Sequence, residues 1–316
     1  MAYRIAVLDD YQHVARRFGP WDQLPAGSEL VVFHDHLVDE DAVVERLRPF
    51  DVVVAMRERT SFPRSVLERL PSLRLLVTTG MGNAAIDLPA ARERSIVVSG
   101  TGGVAPATAE LTWGLILALA RHIAEEDSNV RANRWQQTVG VDLAGRTLGV
   151  IGLGNLGKRV ATVGLAFGME VVAWSQNLSP DTATALGVRP VSKEELLRGA
   201  DIVTIHLRLS DRTRGLLGDT DLRLLKPTAL LVNTSRGPIV DEAALLAALH
   251  EGRLAGAGLD VYDVEPLPAD HPLRRAPRTV LTPHLGYVTD GTYGVFYRDA
   301  VEDIVAFSRG VPVRVL

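Results

Sequence analysis

The stretch from Thr147 to Gly157 decides the fold, and it reads Thr-Leu-Gly-Val-Ile-Gly-Leu-Gly-Asn-Leu-Gly. Its first half is typical of a buried β-strand, and the residues after it favour a helix. Three glycines lie between them in G-x-G-x-x-G spacing: Gly152 permits a tight turn, Gly154 lets the backbone approach a pyrophosphate, and Gly157 lets the helix pack closely. Because a helix N-terminus attracts phosphate, the stretch predicts a dinucleotide-binding site. The alternative, a glycine-rich turn without a ligand, is disfavoured by the flanking strand and helix.

Short apolar runs alternate with helical patterns on both sides of this stretch, which is typical of parallel α/β layers. The N-terminal third predicts strands at Arg4–Leu8, Asp51–Ala55, Leu73–Thr78 and Ser95–Val98. A second series predicts six strands, at Thr147–Ile151, Glu170–Trp174, Ile202–His206, Ala229–Asn233, Gly256–Val261 and Thr279–Thr282. We therefore expect an α/β protein with two Rossmann-like, doubly wound parallel-sheet domains and an active site in the cleft between them.

The predicted domain boundaries follow from the segment between the two series. A glycine-rich hinge at 100–103 precedes a long apolar helix that continues to about Asp127, and a last helix is expected at Thr292–Arg309. We expect residues 1–100 plus 291–316 to form a substrate-binding, flavodoxin-like domain. Residues 101–290 are expected to form the dinucleotide-binding Rossmann domain.

Composition excludes several classes of partner and chemistry. The chain has 316 residues, of which 47% are hydrophobic and 23% charged, which is typical of globular proteins. A net charge of −4 gives no electrostatic reason to bind nucleic acid or an anionic membrane surface. The absence of cysteine excludes disulfides and cysteine-ligated zinc and is compatible with the cytoplasm, where we expect the protein. The longest apolar run, Leu111–Ala120, is too short to span a bilayer.

Three strands of the second series are each followed by a polar residue of catalytic type. Arg236 follows the fourth strand, Glu265 the fifth and His284 the sixth. Because the carboxyl ends of parallel strands meet at one edge of a sheet, we expect these side chains to be neighbours. Together they suit the reduction of a 2-keto acid: a cation holds the carboxylate, an acid protonates the carbonyl oxygen, and a carboxylate orients the imidazole.

The position that normally selects NAD is not acidic in this chain. An NAD-selective site places Asp or Glu at the end of the second strand, whereas here that position is Ser175, followed by Gln176 and Asn177. No arginine for a 2′-phosphate lies between Ser175 and Pro180 either. We therefore expect the protein to use both NAD and NADP.

The sequence His34-Asp35-His36 is the only hint of a metal site. Residues i and i+2 share one face of a strand but do not supply a full ligand set. We therefore expect no metal.

These motifs resemble the D-isomer-specific 2-hydroxyacid dehydrogenase family, which includes glyoxylate/hydroxypyruvate reductases and phosphoglycerate dehydrogenases. The resemblance extends over nearly the whole chain and is strongest at Gly152–Gly157, Asn233–Asp241, Gly258–Pro266 and Thr282–Gly286. It implies an NAD(P)-dependent oxidoreductase acting on a small 2-keto or D-2-hydroxy acid, and a homodimer built mainly on the second domain. The apolar helix Leu111–Ala120 is a further reason to expect that dimer.

Residue by residue, the resemblance implies that His284 is the general acid/base, Glu265 its partner, Arg236 the substrate-binding arginine, and Asp260 the residue that holds the nicotinamide carboxamide. The residues expected at the cofactor are Gly152, Gly154, Asn155, Leu156, Gly157, Ser175, Gln176, Asn177, His206, Thr108, Thr234, Asp260 and Gly286. Those expected at the substrate are Arg57, Gly80, Met81, Gly82, Arg236 and Tyr287.

The chain departs from the family pattern at two places. Arg208 follows His206-Leu207 where proline is frequent, and Tyr287 follows Gly286 where a small residue is common. Tyr287 beside the catalytic histidine would restrict or reshape the substrate pocket. Two alternatives stay open: a non-catalytic, NAD(H)-binding regulatory Rossmann protein, and a dehydrogenase of the formate or phosphite type with the same fold.

Overall fold

The computed structural model describes residues 2–104 and 106–316. In chain order the strands are β1 (Arg4–Val7), β2 (Glu29–Val32), β3 (Val52–Ala55), β4 (Leu75–Thr78), β5 (Val97–Gly100), β6 (Thr147–Ile151), β7 (Glu170–Trp174), β8 (Arg189–Pro190), β9 (Ile202–Ile205), β10 (Leu230–Asn233), β11 (Gly256–Leu259) and β12 (Thr279–Leu281). The α-helices are α1 (Ala15–Phe18), α2 (Glu40–Leu47), α3 (Arg64–Leu67), α4 (Leu88–Glu93), α5 (Ala107–Ala120), α6 (Ile123–Arg131), α7 (Asn155–Ala166), α8 (Pro180–Thr184), α9 (Lys193–Gly199), α10 (Asp219–Leu222), α11 (Glu242–His250) and α12 (Asp290–Ser308).

The chain forms two compact units. The first unit contains the residues up to Val104 together with Thr289–Leu316, and the second contains the residues between them. The sequence prediction put these divisions after residues 100 and 290. Both sheets are parallel and flanked by helices, which confirms the predicted α/β class with two Rossmann-like sheets.

The first unit is built on a five-stranded sheet with the order β2-β1-β3-β4-β5. Its central strands β3 and β4 are buried along their whole length, as expected of parallel strands covered on both faces. The sequence prediction missed β2 because its residues Glu29–Val32 are only partly buried or exposed, so they lack the continuous apolar signal. α12 begins at Asp290, after the cap Thr289, and joins this unit from the far end of the chain.

The second unit has a seven-stranded sheet with the order β12-β11-β10-β9-β6-β7-β8. The six predicted strands are present, and the two-residue β8 adds an edge that is too short to give a periodic signal. One helix differs from the prediction: α5 ends at Ala120, because His122 adopts a left-handed backbone with φ of 52°, and a separate helix α6 follows. Among the described residues no helix combines the length and apolarity needed to cross a membrane.

Candidate active site

The glycine loop after β6 has the conformation that its sequence requires. Gly152 has a φ of +97°, in the left-handed region that favours glycine, and its N–H donates to the Trp174 carbonyl at 2.8 Å. A Cβ on Gly152 would lie 2.7 Å from the carbonyl oxygen of His206. The loop is therefore enclosed by the ends of the two strands next to β6.

The start of α7 is shaped to receive an anion. A Cβ on Gly157 would overlap the carbonyl oxygen of Gly152, so the helix packs directly on the loop. Among the described residues, a Cβ on Gly154 would meet nothing within 4 Å and no side chain caps the helix, whose first turn begins at Asn155 and Leu156. Open space above uncapped N–H groups suits a pyrophosphate, and the residues present fit a dinucleotide.

Ser175 lies where the sequence predicts it, directly after β7. Its carbonyl accepts from the Leu178 N–H at 3.1 Å in a tight turn, and Gln176 and Asn177 are exposed. On the other side of β6, His206 Nε2 hydrogen-bonds with Thr204 Oγ1 at 3.0 Å. Burial lowers the pKa of His206 to about 4, so its ring is neutral near pH 7.

The ends of β11 and β12 bring a histidine and a carboxylate together. His284 Nδ1 lies 2.6 Å from Glu265 Oε2. Because a carboxylate oxygen accepts, Nδ1 carries the hydrogen, and the imidazole has one orientation relative to Glu265. The other oxygen, Glu265 Oε1, accepts from the Tyr262 N–H at 2.9 Å.

Tyr262 ties these two strand ends to each other, a role that sequence reasoning missed. Its hydroxyl donates to the Thr282 carbonyl at 2.9 Å. Burial raises the pKa of Tyr262, so the group stays a hydroxyl donor at neutral pH. The one sequence signal for this position is the apolar run of β11, which ends three residues before Tyr262.

Arg236 follows β10 on a turn that packs against the Glu265 segment. The turn is fixed by Asn233 Nδ2, which donates to the Arg236 carbonyl at 2.9 Å. A Cβ on Gly237 would overlap the carbonyl group of Tyr262, so the two backbones touch. The ends of β10, β11 and β12 therefore converge, as the sequence predicts for Arg236, Glu265 and His284.

Asp260, Thr108 and Thr234 are placed inside the second unit with their side chains engaged. Asp260 is 0% exposed and both carboxylate oxygens accept hydrogen bonds from the chain. Thr108 Oγ1 donates to the Gly286 carbonyl at 2.9 Å, and Thr234 Oγ1 lies 2.8 Å from Thr112 Oγ1. The contact of Asp260 with the nicotinamide carboxamide stays a prediction.

Tyr287 lies against the histidine, as its place in the sequence suggests. The two rings meet edge-on, with centroids 5.4 Å apart and an interplanar angle of 72°. The phenol therefore occupies space directly beside the His284 imidazole.

The four predicted substrate residues of the first unit lie together at the ends of β3 and β4. Arg57 Nη1 donates to the Thr79 carbonyl at 3.0 Å, and a Cβ on Gly80 would overlap this guanidinium. Met81 is exposed, and a Cβ on Gly82 would lie more than 4 Å from every described atom outside its own neighbours. Sequence reasoning missed Asn83, whose Nδ2 donates to the Arg57 carbonyl at 2.6 Å and to Thr78 Oγ1 at 2.9 Å.

The two histidines of the His34–His36 segment contact two different aspartates. His36 Nδ1 lies 2.9 Å from Asp9 Oδ1, and His34 Nδ1 lies 3.0 Å from the Asp10 carbonyl oxygen. No group of three or more metal-ligating side chains occurs among the residues described.

Comparison with known proteins identifies the family. Residues 113–286 match the model of the D-isomer specific 2-hydroxyacid dehydrogenase NAD binding domain, and this match covers more than half of the chain. The chain belongs to the D-isomer-specific 2-hydroxyacid dehydrogenase family. It is an NAD(P)-dependent oxidoreductase that interconverts 2-keto acids and D-2-hydroxy acids.

Individual relatives agree with this assignment. The dehydrogenase is 43% identical, over 78% of its own length and 76% of the relative's, to the glyoxylate reductase of Aeropyrum pernix. It is 37% identical to the D-3-phosphoglycerate dehydrogenase of Bacillus subtilis, of which it spans about half (51%), over 85% of its own length. A crystal structure of a phosphoglycerate oxidoreductase from Vibrio cholerae o395 matches with a TM-score of 0.94 and 39% identity, covering 98% of this chain and 99% of that one.

Proposed function

We propose that this dehydrogenase reduces a small 2-keto acid with His284 as the proton donor, Glu265 as the group that orients it and Arg236 as the cation that holds the substrate. The observation that carries the proposal is the 2.6 Å contact between His284 Nδ1 and Glu265 Oε2. With Nδ1 committed to the carboxylate, Nε2 is the ring nitrogen left to exchange a proton.

The remaining chemistry follows from the charges of these groups. NAD(P)H, when bound, supplies the hydride. The Arg236 guanidinium binds the substrate carboxylate through its planar pair of N–H donors and polarises the neighbouring carbonyl. His284 Nε2–H then gives its proton to the carbonyl oxygen, and the same nitrogen accepts it in the oxidative direction.

The substrate we propose is glyoxylate or hydroxypyruvate. The relative that is 43% identical is named a glyoxylate reductase, and the Tyr287 ring, 5.4 Å from that of His284, limits the room beside the reacting carbon. Arg57, Gly80, Met81 and Gly82 stay the predicted substrate contacts of the first unit. The same proposal includes the predicted roles of the two domains: the first binds the substrate, and the second binds the dinucleotide.

A formate- or phosphite-type dehydrogenase is the second candidate activity. The glutamate that contacts His284 favours the hydroxy-acid reaction, because the family resemblance implies that pairing for hydroxy-acid members. Formate carries no keto group for His284 to protonate, so the two activities are separable by substrate.

The proposed quaternary structure is a homodimer. The apolar helix α5, which suggested it, packs inside its own unit instead. Trp113, Leu115 and Ile116 of α5 are buried within the second unit. Apolar side chains are exposed instead on α6 and the segment after it, where Trp135 is 74% and Val139 90% exposed. We assign the contact with a second copy to this surface, and the cytoplasmic location stays a prediction.

Light scattering tests the dimer. The double variant Trp135→Ser/Val139→Ser should be monomeric at micromolar concentration while the wild type is dimeric. Val38→Ser, at a residue 84% exposed on the first unit, is the matched control and should stay dimeric. A wild type that is already monomeric would contradict the proposal.

Steady-state kinetics test the reaction. We expect NADH oxidation with glyoxylate and hydroxypyruvate and slower turnover with pyruvate, whereas formate with NAD⁺ should give none. Arg236→Lys should lower kcat/KM for every keto acid by at least about tenfold, since a lysine cannot hold a carboxylate in two parallel hydrogen bonds. Arg275→Lys, at an exposed arginine, is the control. An unchanged kcat/KM in Arg236→Lys removes this residue from the site.

A further inference from the structure

The loop Thr282–Gly286 contains a backbone conformation that other residues must stabilise. His284 has a φ of 53°, in the left-handed region, although it is not a glycine. Such a backbone is strained in a residue that is not glycine, and it persists only where the surroundings fix it. The direction of the imidazole depends on this turn, because the side chain leaves the backbone at the same residue.

The Asp260 carboxylate contacts the loop on both sides of that residue. Before the turn, Thr282 Oγ1 donates to Asp260 Oδ1 at 2.6 Å. After the turn, the N–H groups of Leu285 and Gly286 donate to Oδ1 at 2.7 Å and Oδ2 at 2.9 Å. Three hydrogen bonds to one carboxyl group therefore bridge His284, and a buried polar group that loses its hydrogen bonds is costly.

The same loop is closed from the side of α5. Thr108 Oγ1 donates to the Gly286 carbonyl at 2.9 Å. A Cβ on Gly286 would lie 3.1 Å from Thr108 Cγ2 and 3.2 Å from Asp260 Oδ2. Gly286 is thus held between Thr108 and Asp260, and the carboxylate has no exposed surface.

We propose that Asp260 is a positioning residue that acts through the loop: its carboxylate holds the left-handed turn at His284 and so sets the direction of the imidazole towards Glu265. The inference rests on the proposed role of His284. It differs from the contact with the nicotinamide carboxamide that the family resemblance implies, because that role acts on the cofactor and this one acts on the histidine.

Two variants weaken the loop contacts from opposite ends. Asp260→Asn replaces an acceptor oxygen by a donor, and Thr282→Val removes one hydrogen bond without touching Asp260. Thr279→Val is the matched control, because Thr279 lies on β12, which leads into Thr282, and its hydroxyl donates to the Ala276 carbonyl instead. We expect Asp260→Asn and Thr282→Val to lower kcat by at least about tenfold. The dissociation constant of NADH, measured by fluorescence titration, should stay within about twofold, and Thr279→Val should change neither quantity.

A double-mutant cycle with His284→Ala separates positioning from a general loss of structure. If Asp260 and Thr282 act through His284, then Thr282→Val causes no further loss of kcat once the imidazole is gone. An additive loss would overturn the proposal, and so would a tenfold weaker affinity for NADH in Asp260→Asn with kcat unchanged. If Asp260→Asn does not fold, the Thr282→Val cycle decides alone. A His284→Ala variant that keeps its activity would instead refute the proposed function.

Discussion

The two sheets begin alike and differ at the point where the first strand ends. In the first unit β1 leads into Asp9 and Asp10, and the Asp10 carboxylate accepts from the N–H groups of Val14 at 2.9 Å and Ala15 at 3.0 Å. In the second unit β6 leads into glycines, and no side chain in the described part of the chain caps α7. A carboxylate therefore already accepts from the N–H groups at the start of α1, whereas the N-terminus of α7 is where we propose that a phosphate binds.

The units also differ in how they use a histidine paired with a carboxylate. His36 Nδ1 lies 2.9 Å from Asp9 Oδ1, and the second Asp9 oxygen accepts from Thr60 Oγ1 at 2.8 Å, so that pair is part of a buried network. The His284–Glu265 pair is less buried and stands next to the turn that carries Arg236. The same pairing therefore serves packing in the first sheet, whereas in the second we propose that it serves catalysis.

The largest expected effect separates the two histidines. His284→Ala should lower kcat by about 10²–10⁴-fold, the usual contribution of general acid catalysis, with little change in the dissociation constant of NADH. His36→Ala should lower the midpoint of thermal unfolding and leave kcat unchanged. Turnover above about a third of wild type in His284→Ala, or a comparable loss in His36→Ala, would remove the distinction.

The next effect concerns the uncapped helix. Gly154→Ala adds a methyl group where the protein has open space, so the thermal midpoint should stay unchanged. The dissociation constant of NADH should rise about 10- to 100-fold, or about 1.4–2.7 kcal/mol, because the methyl group occupies the approach of the pyrophosphate. Gly199→Ala in α9, where a Cβ would also meet none of the described residues within 4 Å, is the control. Equal NADH affinity in both variants would show that phosphate does not bind at α7.

A smaller effect is expected at Ser175. The wild type should use both NADH and NADPH. Their kcat/KM values should lie within about 5- to 30-fold of each other, which corresponds to a free-energy difference of about 1–2 kcal/mol. Ser175→Asp should shift this ratio towards NADH, since a carboxylate binds the ribose hydroxyls and repels a 2′-phosphate. The ratio is measured with one saturating keto acid. A wild-type preference above about a thousandfold, or an aspartate without effect, would mean that Ser175 does not contact the ribose.

The smallest effect tests the capped helix. Asp10→Ala should cost about 0.5–2 kcal/mol in the free energy of unfolding, the range known for losing a side chain that accepts from the first N–H groups of a helix. Asp39→Ala removes the cap of α2, where Asp39 accepts from the Ala42 N–H at 2.9 Å, and should cost a similar amount. Chemical denaturation measures both. Neither variant should alter the affinity for NADH, and a change in Asp10→Ala alone would give the first sheet a part in cofactor binding.

The sequence predicts those features that depend on local pattern. The glycine spacing, the strand before it and the polar residues after β10 and β12 are local signals, and the structure has each where it is expected. β2 was missed because it is half-exposed, and the break at His122 was missed because a single left-handed residue leaves no periodic trace. The contacts of Tyr262 and Asp260 join residues of different segments, so no spacing encodes them.

The first unit is assembled from both ends of the chain, and this has a consequence for its synthesis. The edge of β5 is covered by the C-terminal segment, where Ser99 pairs antiparallel with Val315 and the Gly100 N–H donates to the Arg314 carbonyl at 2.9 Å. A ribosome releases β1 to β5 well before this segment, whereas the second unit is continuous in sequence. During synthesis the edge of β5 therefore stays uncovered until the C-terminal segment is made, after the second unit. An uncovered strand edge can pair with the wrong strand.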